Sequence, residues 1–256
     1  MAGADDRRNG ENDGSYIHDP TWRIFRIMSE FVEGFTFLAG IQNSVTFFGS
    51  ARLTESHPYY QKARELGRML AKRGYTIVTG GGPGIMQAGN QGACDANGES
   101  VGLNIQLPHE QRINRYVRQS ISFHYFFSRK VMLDFSAEAY IFFPGGFGTL
   151  DEFFELVTLV QTGKVSTDTP IILIGSEYWS PLIAWFERTL RDDFKTINPQ
   201  DIALWRLTDD LDEAVRLVVE GMDRQQAAQI AKTGRARRSA GDKMEQATKP
   251  GTETQQ

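Results

Sequence analysis

Short apolar runs of strand length alternate along this chain with segments of helical periodicity, and that alternation restricts the fold more than any other feature. The runs lie at residues 45–48, 75–78, 101–105, 140–143, 171–174 and 204–207. Strands that are apolar on both sides are buried on both sides, which calls for helices above and below a mostly parallel sheet. Trp22, Phe25, Met28, Phe31, Val32, Phe35 and Leu38 recur at three- and four-residue steps, the spacing of an amphipathic helix. Further helices are expected through Ala63, Leu66 and Leu70 toward Gly74, and over 85–96, 129–136, 150–161, 181–190 and 211–219. The predicted fold is a three-layer α/β sandwich around a sheet of six or seven strands.

The pattern runs without an internal linker over 21–221, which is read as one domain. Residues 1–20 are polar, and 222–256 hold no aromatic residue, so neither stretch buries enough apolar area to offset its ordering entropy. Both are expected to be disordered tails, with Arg235, Arg237 and Arg238 as a solvated basic cluster. Between them, 17 Phe, 8 Tyr and 4 Trp are ample for a core. A net charge of -4 argues against a general nucleic-acid binder. No run approaches the roughly 18 apolar residues of a membrane span. The lone Cys94 excludes an intramolecular disulfide and fits a reducing compartment. The N-terminus lacks the apolar run of a secretory signal, and a cytoplasmic location is expected.

Ligands of open parallel sheets bind outside the carboxyl ends of the strands. Three glycine-bearing loops fall at that edge: Gly49-Ser50, Gly80-Gly81-Gly82-Pro83-Gly84, and Pro144-Gly145-Gly146-Phe147-Gly148-Thr149. Glycine admits a ligand close to the backbone, and a following helix N-terminus favours an anion. Neither the dinucleotide fingerprint nor the Walker sequence is matched, since Ile85 and Gln87 stand where glycines would be needed and Gly148-Thr149 lacks the lysine. A monophosphate is the expected anion. Thr149 and Glu152 also have the spacing of a capping box, in which Glu152 would merely bond the cap N–H. Arg129 points to a larger role, because its predicted helix precedes the strand at 140–143 and starts at the same sheet edge. The histidines His18, His57, His109 and His124 are widely spaced, so no metal site is expected.

Pro144-Gly145-Gly146-Phe147-Gly148-Thr149-Leu150-Asp151-Glu152 resembles the PGGxGTxxE signature of the LOG (Lonely Guy) family, cytokinin riboside 5′-monophosphate phosphoribohydrolases often labelled lysine decarboxylases. Gly80–Met86, Phe48-Gly49-Ser50 and Ser128-Arg129-Lys130 resemble its other motifs, over roughly residues 40–220. The resemblance implies a Rossmann-like fold and hydrolysis of the N-glycosidic bond of a purine nucleoside 5′-monophosphate. It implies Arg129 and Glu152 as the catalytic pair and Gly145, Gly146, Gly148 and Thr149 as the phosphate loop. Gly49, Ser50, Gly81, Gly82, Met86 and Lys130 are further expected substrate contacts. No cofactor is expected, and a homodimer or larger homo-oligomer is. Ser128 departs from the glutamate of many plant-like members. A non-catalytic nucleotide or molybdenum-cofactor carrier is the alternative. A lysine decarboxylase would need a Schiff-base lysine, and Lys130 is the only lysine near the expected site.

Overall fold

A computed structural model describes residues 20–106 and 113–247. Residues 1–19 of the expected 1–20 tail, the last residues 248–256, His18, His109 and the side chains of Arg235, Arg237 and Arg238 lie outside what is described, and Pro20 opens a helix. Seven strands form one sheet: β1 (Ser44–Phe48), β2 (Thr76–Thr79), β3 (Ser100–Ile105), β4 (Gln119–Phe123), β5 (Ala139–Phe142), β6 (Ile171–Ile174) and β7 (Arg206–Thr208). The order is β4-β3-β2-β1-β5-β6-β7, with every pairing parallel. The strand absent from the sequence reading is β4. It lies at the sheet edge and is largely exposed, so its residues lack a buried apolar run.

The helices are α1 (Pro20–Leu38), α2 (Pro58–Ala71), α3 (Ile85–Asp95), α4 (Phe126–Asp134), α5 (Phe147–Gln161), α6 (Ser176–Trp185) and α7 (Leu211–Ala247). Side chains alternate across each strand, and the sheet therefore has two cores. Val45, Phe47, Ile77, Ile141 and Phe143 face Leu66 and Leu70 of α2, Ile85 and Ala88 of α3, and Val215 and Val218 of α7. Phe48, Val78, Leu103, Tyr140, Phe142 and Leu173 face Met132 and Leu133 of α4, Phe153 and Leu156 of α5, and Trp179 of α6.

Several helix boundaries differ from the sequence reading: α4 and α5 each start three residues earlier, at Phe126 and Phe147. Helix α6 starts at Ser176 rather than 181, because Asp209 accepts the N–H groups of Gly175 and Ser176 and stabilises the start from a remote loop. It carries Pro181 inside and runs on into a π-helical segment, Phe186–Asp193. Helix α7 continues to Ala247, so the backbone over 222–247 is helical where disorder is expected. The Ala, Gln, Lys, Arg and Met of this stretch are good helix formers with no proline before 250.

Helix α1 lies against α4 and β4. Leu38 reaches the core, and Phe31 and Phe37 pack on it. The opposite apolar side, with Trp22, Phe25, Met28, Val32 and Phe35, is 46–66% exposed.

Candidate active site

The strand order reverses where β1 lies between β2 and β5. In sheets of this kind a crevice opens at that point, outside the carboxyl ends of the strands. The three glycine loops follow β1, β2 and β5, and they meet there. Ser50 joins them: its N–H donates to the Pro144 carbonyl at 3.0 Å, and its own carbonyl accepts the Ile85 N–H at 3.0 Å. Gly84 is required at this junction, since it has φ +68° and a Cβ there would lie 2.2 Å from the Ser50 oxygen.

A cavity of about 850 Å³ opens between these loops, a volume suited to a small organic ligand. Of the sequence-predicted residues, Gly49, Ser50, Met86, Arg129, Gly145, Gly146, Gly148, Thr149 and Glu152 line it. Gly81, Gly82 and Lys130 do not. The Gly81 N–H donates to the hydroxyl of Thr79 at the end of β2, and Asn114 donates to the Gly81 and Gly82 carbonyls, so these groups hold the loop's shape. Lys130 Nζ instead lies 2.7 Å from Asp151 and 2.8 Å from Glu155.

Helix α5 begins at Phe147 with Gly146 as its N-cap. Thr149 is thus the third helical residue, and the capping box considered for Thr149 and Glu152 does not form. Gly146 offers no side-chain cap, which leaves the first-turn N–H groups for another acceptor. The loop is closely fitted: a Cβ on Gly145 would lie 2.1 Å from Thr149 Oγ1. Tyr178 of α6 donates its hydroxyl to the Gly145 carbonyl at 2.7 Å.

One turn into α5, Glu152 faces Arg129 of α4. Arg129 Nη2 lies 3.9 Å from Glu152 Oε1, with the side chains 17% and 8% exposed. Arg129 also reaches the Gly80 loop, its Nη1 lying 3.4 Å from a Cβ position on Gly80. The pair is not saturated. Glu152 Oε2 and Arg129 Nε are both buried and have no hydrogen-bond partner. Burial pushes the Glu152 carboxyl up to about 7, Asp134 raises it further, and Arg129 works in the opposite direction. Burial lowers the Arg129 guanidinium, against the pull of Glu152.

Asp134, at the end of α4, is one residue that sequence reasoning misses. It is buried, and it offers an oxygen within 4.8 Å of oxygens of Glu152 and Glu155. Burial pushes its carboxyl up to about 7, which Lys130 partly opposes. The three carboxylates have a spacing a cation could use, and the Lys130 ammonium already supplies positive charge at Glu155. Its position one helical turn after Lys130 was the available signal. Tyr178 had none, since its contact with Gly145 depends on tertiary structure.

Known proteins resemble this chain in sequence and in fold. A family model described as "Possible lysine decarboxylase" matches residues 86–218, more than half of the chain. A Rhodococcoides fascians protein named cytokinin riboside 5′-monophosphate phosphoribohydrolase is 29% identical over 159 residues, covering 60% of this chain and 78% of that protein. A Mycobacterium tuberculosis protein of the same name is 30% identical over 158 residues, covering 60% and 82%. A solved molybdenum cofactor carrier protein from Chlamydomonas reinhardtii superposes with a TM-score of 0.52 at 22% identity, over 70% of this chain and 98% of that one, and shows a shared fold. The chain belongs to the family of that model, the LOG family.

Proposed function

We propose that this protein hydrolyses the N-glycosidic bond of purine nucleoside 5′-monophosphates, AMP or a cytokinin-type nucleotide, to free base and ribose 5-phosphate. The observation that carries the reading is the unsaturated pair in the cavity wall. A buried carboxylate oxygen and a buried guanidinium nitrogen, both without partners, stand beside an uncapped helix N-terminus. The names of the aligned relatives support the same reaction class.

In this reading the 5′-phosphate sits at Gly145, Gly146, Gly148 and Thr149, held by first-turn N–H groups and the helix dipole. That anchor places the ribose between Arg129 and Glu152 and fixes its orientation. As the C1′–N9 bond breaks, its electron pair leaves with the base and positive charge develops on the ribose. Glu152 stabilises that charge and takes a proton from the water whose oxygen bonds to C1′. A proton returned to the base completes the balance. Gly49, Ser50 and Met86 line the same cavity and contact the rest of the substrate.

A decarboxylase reading would rest on pyridoxal phosphate bonded to a lysine, and the residues do not fit that group. No lysine lines the cavity among the described residues, and Lys130 is held by two carboxylates. A non-catalytic carrier would share the fold, as the Chlamydomonas reinhardtii structure does, but an anion carrier gains nothing from a buried carboxylate at its site.

The proposal includes a homodimer or larger homo-oligomer, supported by the exposed apolar side of α1. A monomeric mass by light scattering at micromolar concentration would contradict that part. It also includes a cytoplasmic location, and among the described residues no helix is long and apolar enough to cross a membrane. The phosphate anchor is tested by chromatography of base released from AMP and from adenosine. AMP should be cleaved and adenosine barely; equal turnover would remove the anchor.

A further inference from the structure

Helix α4 carries Arg129, yet it starts without a cap of its own. Its N-cap residue, Tyr125, makes no side-chain cap bond. The missing acceptor comes from α1. Glu30 Oε1 accepts the His124 N–H at 2.7 Å, and Oε2 accepts the Tyr125 N–H at 3.3 Å. The Ser128 hydroxyl donates to the same Oε2. Glu30 is 8% exposed, so a buried carboxylate takes three donors from the start of one helix. Negative charge is favourable at a helix N-terminus, and hydrogen bonds to a carboxylate are stronger than neutral ones. Arg129 sits in that first stretch, where its own charge is disfavoured.

We infer that Glu30 is a positioning residue of the candidate active site: by capping α4 it fixes the helix end from which Arg129 reaches over Gly80 toward Glu152. Helix α1 lies outside the stretch matched by the family model, so the site depends on an element that the family motifs do not include. The kinetic consequence rests on the hydrolase reading; the capping itself does not.

The test uses the full chain and a rescue. Ser128 is the third residue of α4, and a glutamate at that position can reach back to the N-cap N–H. That N–H is the group Glu30 Oε2 now accepts, and Glu30→Ala vacates the space beside it. Three proteins are compared: the parent, Glu30→Ala, and Glu30→Ala with Ser128→Glu. Amide exchange is followed by mass spectrometry over 124–131 and 147–152, together with kcat and KM for the best monophosphate.

In Glu30→Ala, exchange over 124–131 should speed up by about tenfold, with 147–152 unchanged. The kcat should fall by about tenfold, and KM by contrast should change by less than about threefold, because the phosphate loop lies on α5. The double variant should recover most of both losses. Unchanged exchange over 124–131 would overturn the inference, as would faster exchange with kcat intact, or losses across the whole domain that Ser128→Glu does not reverse. If the parent releases no base, the hydrolase reading fails, and the exchange comparison still decides whether Glu30 caps α4.

Discussion

Glu152→Gln keeps the shape of the side chain and removes its charge, so it separates the chemistry of the site from its stability. Burial, above all, pushes the Glu152 carboxyl from its ordinary 4.5 up to about 7. The folded state therefore holds a proton that the unfolded chain releases between those two values. The stability this contributes is fully present below about 4.5 and is lost as pH rises through about 7. Holding the carboxyl at about 7 rather than 4.5 costs the folded state roughly 3 kcal/mol at high pH, or about 6–12 °C in Tm for a chain of this size.

Gln cannot ionise. The melting temperatures of parent and variant should thus lie close together at pH 5 and diverge at pH 8.5, with Glu152→Gln the more stable. Any constant cost of seating the amide cancels in the difference between the two pH values. Asp134 titrates in both proteins, so the divergence reads Glu152 together with its repulsion of Asp134. In the same variant, base release should fall by about 10²-fold or more, the scale of a lost general base. Calorimetric melts at the two pH values and a chromatographic assay check both halves. A Tm difference independent of pH would refute the buried charge, and near-parental turnover would refute the catalytic role.

Base release should rise as pH climbs through about 7, where Glu152 becomes an available base, and a pH–rate profile flat from 5.5 to 8.5 would contradict this. Asp134→Asn should move that limb to lower pH, because Asp134 raises the Glu152 carboxyl; the pH profile of kcat reads the direction. Gly145→Ala should raise KM for the monophosphate by about tenfold or more, since the added Cβ would lie 2.1 Å from Thr149 Oγ1 and displace the phosphate loop. An unchanged KM would show that the loop does not hold the phosphate.

The architecture was legible because buried strands such as Ile171–Ile174 are short and wholly apolar, and because glycine clusters mark the turns at one sheet edge. Local spacing alone could not decide between a capping box and a free Glu152. That depended on α5 beginning at Phe147, with Gly146 and not Thr149 at the cap. Strand β4 escaped because an exposed edge strand needs few apolar residues. Asp134, Tyr178 and Glu30 escaped for another reason. Each acts on a group from a different element: Asp134 on Glu152 of α5, Tyr178 on the loop after β5, Glu30 on the start of α4. Such contacts exist only once the layers are assembled. The start of α6 belongs with them, set by Asp209 from across the sheet edge.

On the proposed function, the cavity at the β1–β5 crevice cleaves a nucleotide rather than carrying one. A panel of nucleoside 5′-monophosphates, AMP and N6-prenylated AMP among them, incubated with the full chain and resolved by chromatography, tests it most directly. Free base and ribose 5-phosphate should appear in equal amounts from at least one purine monophosphate, with release abolished in Arg129→Ala. Binding of these nucleotides without release of base from any of them would contradict it and favour the carrier.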